Sequence, residues 1–87
     1  MNISATTEFD IGDSVYIAET YDVYVPDGPY NIIGIKLQII DNATTVRYML
    51  DNGDKLYGYP EHLCFDTYEE CLKWCYEHNK NLDILNN

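Results

Sequence analysis

The stretch NIIGIKLQIIDNATTVRYML, residues 31–50, decides the fold expected for this chain. In its first half every second residue is apolar, and a period of two is typical of a β-strand. These apolar residues are Ile33, Ile35, Leu37 and Ile39. The polar run DNATT then turns the chain, and the second half returns as another strand. The inner face of this returning strand is expected to consist of Val46, Tyr48 and Leu50.

The sequence before this stretch is also patterned as strand. GDSVYIAETYDVYV, residues 12–25, places apolar side chains at alternate positions, with an interruption at Glu19. It predicts one long strand, or two strands joined by a bend near Glu19 and Thr20. VPDGPY, residues 25–30, has two prolines and a glycine, so we expect a turn or loop there. Residues 1–7 are polar and are expected to form a loose lead-in.

The sequence after this stretch predicts a hairpin. DNGD, residues 51–54, favours a type I′ turn, which needs positive φ angles that Asn-Gly adopts at low cost. KLYGYP then returns as a short strand that Pro60 ends.

The periodicity then changes to that of a helix, predicted over residues 67–80. Thr67 and Glu70 form a capping box at its start. One stripe of the helix is expected to carry Tyr68, Cys71, Leu72, Cys75, Asn79 and Leu82, and the opposite side Glu69, Glu70, Lys73, Glu77 and Lys80. Residues 1–87 therefore predict a single α+β domain, with a strongly bent antiparallel sheet or barrel of about four strands over residues 9–62. The helix would cap an open end or edge; an open sheet under the helix is the alternative.

The chain is strongly acidic. It has 15 Asp and Glu residues against 5 Lys and Arg residues, a formal net charge of −10 and a pI near 4.2. Direct binding to nucleic acid or to an anionic membrane requires positive charge on the protein, so the composition argues against both. It favours attraction to a basic partner protein. An acidic surface that only keeps a small protein soluble would explain the same composition.

The compartment is expected to be the cytoplasm. No apolar run approaches the ~20 residues that span a bilayer, and the N-terminus has neither the basic nor the apolar region of a signal peptide. Three cysteines are an odd number, and a disulfide framework is not expected in a reducing compartment.

CLKWCYEH, residues 71–78, is the stretch whose spacing first suggests chemistry. Its candidate metal ligands are Cys64, Cys71 and Cys75 with His62 or His78. This spacing matches no zinc finger, ribbon or knuckle, and two of the cysteines fall in the apolar stripe, where a free thiol packs as a small apolar side chain. We therefore expect no catalytic residue, metal or cofactor, and a protein that is not an enzyme. A metal-binding or redox domain built on the cysteines is the competing hypothesis.

Three segments together resemble the small SH3-like barrel proteins common in bacteriophages and mobile elements. They are FDIGDSVYI at residues 9–17, the isoleucine-rich strand, and YMLDNGDKLYGYPEHLCFDTYEECLKWCYEHN at residues 48–79. The resemblance covers roughly residues 9 to 80 and implies an SH3-like barrel closed by a helix. The matching residues are Phe9, Gly12, Asp13, Val15, Tyr16, Tyr48, Phe65, Thr67, Glu69 and Glu70.

The phage-type fold that this resemblance implies, together with the acidity of the chain, is similar to anti-CRISPR and other anti-defence proteins. They imply an inhibitor, in the cytoplasm of the infected bacterium, that occupies the basic nucleic-acid groove of a nuclease or CRISPR effector. Carboxylates pair well with arginines in such a groove, and tyrosines add rigid contact area. The expected partner-binding residues are Asp22, Tyr24, Asp27, Tyr30, Asp51, Asp54, Tyr57 and Trp74. The alternative is an accessory interaction module of a phage or mobile element. Strand edges such as residues 45–50 could pair across a two-fold, and the sequence leaves monomer and dimer open.

Overall fold

A computed structural model describes the backbone of residues 7–53 and 57–86, and the side chains of this set up to residue 80. The lead-in predicted for residues 1–7 lies almost entirely outside the described residues. The elements in chain order are β1 (Ser14–Thr20), β2 (Tyr24–Ile40), β3 (Ala43–Leu50), β4 (Tyr59–Pro60), a 3₁₀ turn (Glu61–Leu63), β5 (Cys64–Phe65) and α1 (Tyr68–Asn86).

The strands form an antiparallel open sheet in the order β4-β3-β2-β1-β5. The prediction of an α+β protein with a C-terminal helix is confirmed, but the prediction of a barrel is wrong. A barrel closes only when its two end strands pair with each other, and β4 and β5 are two residues long. Pro60 contributes no N–H to β4, and the 3₁₀ turn follows at once, so the end strands are too short to close the sheet.

The chain divides into two compact units. The hairpin unit consists of Met1–Ser14 and Tyr30–Glu61, and the helix unit consists of Val15–Pro29 and His62–Asn87. Strand β2 contributes its first residues to the helix unit and the remainder to the hairpin unit. The single domain expected from chain length stays a prediction.

In the hairpin unit, a two-residue turn at Asp41 and Asn42 joins β2 to β3. Their φ angles are 51° and 66°, and a type I′ turn requires positive φ at both positions. The turn expected in DNATT is therefore confirmed. The type I′ turn predicted for residues 51–54 is wrong over its described part, because Asn52 does not have a positive φ and Gly53 does.

The pairing of β2 with β3 shifts by one residue at Ile33. Ile32 is opposite Leu50 and Gly34 is opposite Met49, so Ile33 is the extra residue of a β-bulge. Ile32 and Leu50 are buried, whereas Ile33 is 46% exposed. Because a one-residue bulge reverses the alternation of side chains, Ile32 takes the place expected for Ile33 on the face of Leu50 and Tyr48. The expected apolar face is therefore wrong at its first member.

Beyond the bulge, the two strands extend past the buried part of the hairpin unit. Directly opposed residues share a face in an antiparallel pair, so Leu37 lies beside Val46 and Ile39 lies beside Thr44. The inner face predicted for β3 is confirmed, since all three of its residues are buried. Every residue from 36 to 45 is nevertheless exposed. We call residues 36–45 the arm.

Tyr48 anchors the N-terminal segment of the hairpin unit to the sheet. Its ring is fully buried and meets the Phe9 ring edge to face, with ring centroids 5.7 Å apart. The Tyr48 hydroxyl accepts a hydrogen bond from the Phe9 backbone N–H at 3.2 Å and donates to the Glu61 carboxylate. That carboxylate also accepts from the Glu8 backbone N–H at 3.1 Å. One buried phenol therefore holds the start of the described chain in place.

In the helix unit, β1 and the first part of β2 are separate strands. A bend over residues 21–23 joins them, with the Tyr21 N–H donating to the Val23 carbonyl at 3.0 Å. Of the two alternatives that the sequence left open, two strands with a bend is the one confirmed.

The turn or loop expected at residues 25–30 is wrong, because β2 continues through this segment. Gly28 has a φ of 131°, a conformation that favours glycine. A Cβ on Gly28 would stand 3.0 Å from the Val15 carbonyl oxygen, so the missing side chain lets β1 and β2 lie close together. The peptide bond from Gly28 to Pro29 is cis.

Helix α1 starts where the sequence predicts. The Glu70 backbone N–H donates to Thr67 Oγ1 at 3.2 Å, and the Cys71 N–H donates to the Thr67 carbonyl at 3.2 Å. Thr67 therefore satisfies two N–H groups of the first turn, as an N-cap residue does.

The buried face of α1 is narrow because its side chains are small. Cys71 and Cys75 are 0% and 2% exposed and pack with Ala18 of β1. The predicted stripe is confirmed at both cysteines and is wrong at Tyr68 and Leu72, which are nearly half exposed. Successive helical residues are about 100° apart around the axis, so a close contact centred on two cysteines leaves their neighbours outside it. The expected stripe member Leu82 lies outside the described side chains.

A single amide ties the start of β2 to α1. Asn79 Oδ1 accepts from the Tyr24 backbone N–H at 2.7 Å, and Asn79 Nδ2 donates to the Tyr24 carbonyl at 2.8 Å. The side chain thus makes the pair of hydrogen bonds that a neighbouring strand would make.

We expect Asn79→Ala to lower the free energy of unfolding by about 2 kcal/mol, because both backbone groups of a half-buried Tyr24 lose their partner. Urea denaturation measures the change. Lys80→Ala, at the adjacent exposed position, is the matched control and should be nearly neutral. Equal losses in the two variants would show that the amide contributes no specific stability.

Candidate functional site

The acidic charge is divided between the two units, with a small excess in the helix unit. The helix unit contains eight acidic residues against two lysines. The carboxylates of Asp22, Asp66, Glu69 and Glu77 are exposed, and no residue in the described part of the chain pairs with them. An exposed, unpaired set of carboxylates gives this unit a negative potential that a basic partner would feel.

Part of this acidity has a structural cause. Asp66, Glu69 and Glu70 lie at the N-terminus of α1, where the helix dipole stabilises negative charge. Glu77 lies two turns after Glu70, about 10 Å further along the axis, where that local cause no longer applies. Asp22 lies in the bend before β2, two residues before Tyr24, whose backbone binds Asn79 well beyond the first turn of α1. These two carboxylates have no structural partner among the described residues.

Two of the predicted partner-binding residues, Tyr24 and Trp74, pack against each other. Their ring centroids are 4.9 Å apart, and Phe65 packs on Trp74 at 5.8 Å. His78 stacks on Trp74 at 3.7 Å and donates from Nδ1 to the Trp74 carbonyl at 2.8 Å. Trp74 is half-buried. Its indole covers the cysteine-lined contact, so it offers a partner only its remaining edge.

The other two predicted residues of the helix unit differ in exposure. Asp22 is exposed, whereas Asp27 is half-buried and has further interactions of its own. Asp22 is therefore the member of this pair whose carboxylate is available to a partner.

In the hairpin unit, Asp51 already has a structural role. Its carboxylate accepts from the Asn31 backbone N–H at 3.0 Å and from the Asn31 side-chain amide at 3.2 Å. Asn31 in turn accepts from the Ser14 hydroxyl at 2.8 Å. Although Asp51 is exposed, an arginine that bound its carboxylate would compete with its hydrogen bonds to Asn31.

Three predicted residues of the hairpin unit remain, and they differ in exposure. Tyr57 is 71% exposed, and Tyr30 is half-buried with further interactions of its own. Asp54 lies outside the described residues. The eight predicted residues therefore do not form one continuous patch within either unit.

Two exposed apolar features were not predicted from the sequence. The first is the arm, where Leu37, Ile39 and Ile40 are about half exposed. The second is on α1, where Tyr68, Leu72 and Tyr76 follow one another at i, i+4 and i+8. Two members of the second set, Tyr68 and Leu72, were predicted to lie on the buried stripe, and Tyr76 was assigned to neither side.

The three cysteines are free thiols and all are buried. Burial, and then the neighbouring Cys75 thiol, raise the pKa of Cys71 from its ordinary 9.0 to about 12. Burial also raises the pKa of Cys75. A nucleophilic or metal-ligating cysteine must be a thiolate, and these surroundings stabilise the neutral thiol instead. Among the described residues, no group of three or more potential ligands is arranged to hold a metal ion.

Within the described residues, no helix has the length and apolar character needed to cross a bilayer. No protein-family model matches the chain, and neither a curated protein nor a solved structure shows significant similarity to it.

We expect the free energy of unfolding to fall as pH rises from about 9 to about 12. The pKa of Cys71 is higher in the folded state than its ordinary value, so in this range the unfolded chain has released a proton that the folded chain still holds. Below pH 9 both states hold the proton and this contribution is constant. Chemical denaturation at a series of alkaline pH values measures the decline.

The burial of Tyr48 and its hydrogen bond to Glu61 raise the pKa of that phenol to about 12 and add to the same decline. Cys71→Ala removes only the thiol contribution, so its stability should decline less steeply than that of the wild type. Parallel curves for the two proteins would contradict the assignment to Cys71.

Proposed function

We propose that the protein is a non-enzymatic, protein-binding inhibitor of a host nucleic-acid-targeting defence system. In this proposal the acidic helix unit occupies the basic nucleic-acid groove of a nuclease or CRISPR effector in the bacterial cytoplasm, by mimicry or steric block. The observation that carries the proposal is the set of exposed carboxylates on α1 and in the bend before β2 that have no partner among the described residues.

The charge of these carboxylates matches what such a groove presents. A nucleic-acid channel is lined by Lys and Arg, and a CRISPR effector reads its adjacent DNA motif with arginines. Carboxylates can bind arginine through two parallel hydrogen bonds. An acidic partner is also steered to a basic cleft before contact, which raises the association rate about tenfold or more at low salt.

The chemistry of the buried groups supports a binding role in preference to catalysis. The three thiols are buried, and the pKa values of Cys71 and Cys75 are raised by that burial. Groups held in their neutral form away from solvent contribute to packing. The exposed tyrosines of α1 instead provide the rigid, amphipathic contact area that protein interfaces favour.

A second candidate is an accessory interaction module of a phage or mobile element. The exposed apolar side chains of the arm favour this candidate. The inhibitor proposal rests on the carboxylates of the helix unit and gives these apolar side chains no role. This candidate shares the non-enzymatic, partner-binding character of the first and differs in the partner.

We expect the tagged protein to capture a nuclease or CRISPR effector from host lysate at low salt and to release it at high salt, as mass spectrometry of the bound fraction would show. Guide or target nucleic acid should displace the captured protein, since the two would share a groove. If no nucleic-acid-handling protein is captured at either salt concentration, the inhibitor proposal fails and the accessory-module proposal remains.

For a captured target, Glu69→Gln with Glu77→Gln should lower the association rate about tenfold at low salt. Asp10→Asn with Asp41→Asn removes the same charge from the hairpin unit and is the matched control. Surface-plasmon resonance at several salt concentrations gives the association rate of each double variant. Equal effects from the two pairs would mean that net charge acts without a defined acidic surface.

A further inference from the structure

Asn52 and Gly53 form the only Asn-Gly pair in the sequence, and they lie in the turn that follows β3. The side-chain amide of an asparagine can react with the backbone nitrogen of the next residue. A following glycine leaves that nitrogen unobstructed, because glycine has no Cβ. Gly53 is exposed, and a Cβ on it would have no atom within 4 Å beyond its chain neighbours. Water and base therefore have free access to this peptide bond.

The backbone nitrogen that would react is not engaged in the sheet. The Gly53 N–H makes no hydrogen bond with any described residue. A backbone amide within a strand or a helix would first have to leave its hydrogen-bond partner. The Gly53 nitrogen can lose its proton to base without that cost.

The side-chain amide that would react is held by a neighbouring strand. Asn52 Nδ2 donates to the Tyr59 hydroxyl of β4 at 3.1 Å. Nδ2 is the atom that leaves in the reaction, so this hydrogen bond must break as the reaction proceeds. The net strength of such a bond corresponds to a rate lowered about two- to tenfold.

We propose that Asn52 is a site of spontaneous deamidation, which adds a carboxylate to the turn after β3, and that the Tyr59 hydroxyl slows the reaction. The site lies in the hairpin unit and is independent of the proposed inhibitor function, which uses the carboxylates of the helix unit.

The reaction needs only base and water. The deprotonated Gly53 nitrogen forms a bond to Asn52 Cγ, and the Cγ–Nδ2 bond breaks as Nδ2 takes up a proton and leaves as ammonia. Water then opens the resulting cyclic imide at either of its carbonyl groups, and nothing is oxidised or reduced. Opening at Cγ gives aspartate, and opening at the main-chain carbonyl gives isoaspartate.

Both products change the hairpin unit. Each adds one negative charge to a chain whose formal net charge is already −10. Isoaspartate also routes the main chain through Cβ directly after Asp51, whose carboxylate binds Asn31. The isoaspartyl form should therefore be less stable than the aspartyl form.

The test is to incubate the folded full-length protein in mildly alkaline buffer and to follow its tryptic peptides by mass spectrometry, with fragment ions locating the change. YMLDNGDK, residues 48–55, reports on Asn52, and LQIIDNATTVR, residues 37–47, reports on Asn42. Asn42 is the control within the same molecule, because it is exposed in a turn but is followed by Ala43. Asn52 should convert at least about tenfold faster than Asn42, since the Cβ of Ala43 hinders the attack.

Tyr59→Phe removes only the hydroxyl and should speed the conversion of Asn52 about two- to tenfold, while Asn42 keeps its rate. Circular dichroism establishes that the variant is folded. Equal conversion of Asn52 and Asn42 in the wild type, or no conversion of either, would overturn the proposed site. A Tyr59→Phe variant in which Asn52 converts no faster than in the wild type would overturn the role of the Tyr59 hydroxyl.

Discussion

The contact of Cys71 and Cys75 with Ala18 determines the arrangement of the helix unit. Three small side chains allow the helix axis to lie close to β1, and this closeness brings Asn79 within hydrogen-bonding distance of the Tyr24 backbone. The rings around the contact then cover its edges. Because the buried face is so narrow, most of the helix circumference remains in water. The acidic and aromatic surface of α1 is thus a consequence of how little of the helix is needed for packing.

Local signals in the sequence predicted the parts of the fold that depend on local chemistry. Thr67 caps the helix because its hydroxyl satisfies a nearby N–H, and that requirement is visible in four residues. The buried face of β3 followed from simple alternation. The course of β2 could not be predicted in the same way. Its passage through the proline-rich segment depends on space beside Val15, and its bulge at Ile33 depends on pairing with β3. Neither neighbour is evident from the segment itself.

The site residues show the same division between local and tertiary causes. Charge is a property of composition, so the acidic character of the surface was predictable. The roles of individual side chains were not, because Asp51 and Trp74 each have a structural partner supplied by a distant part of the chain. Asp51 holds Asn31, and Trp74 packs on Tyr24 and Phe65. The local sequence does not distinguish a tyrosine or aspartate that faces solvent from one that contacts a distant segment of the chain.

The two-residue turn at the tip of the arm gives this protein a simple route for change in evolution. Residues inserted or deleted in matched pairs on either side of Asp41 and Asn42 would lengthen or shorten the ribbon while every remaining side chain keeps its face. The bulge at Ile33 can take up a single unmatched residue as well. Related chains would then be expected to differ most in the length of this hairpin, with the small-residue contact of the helix held constant.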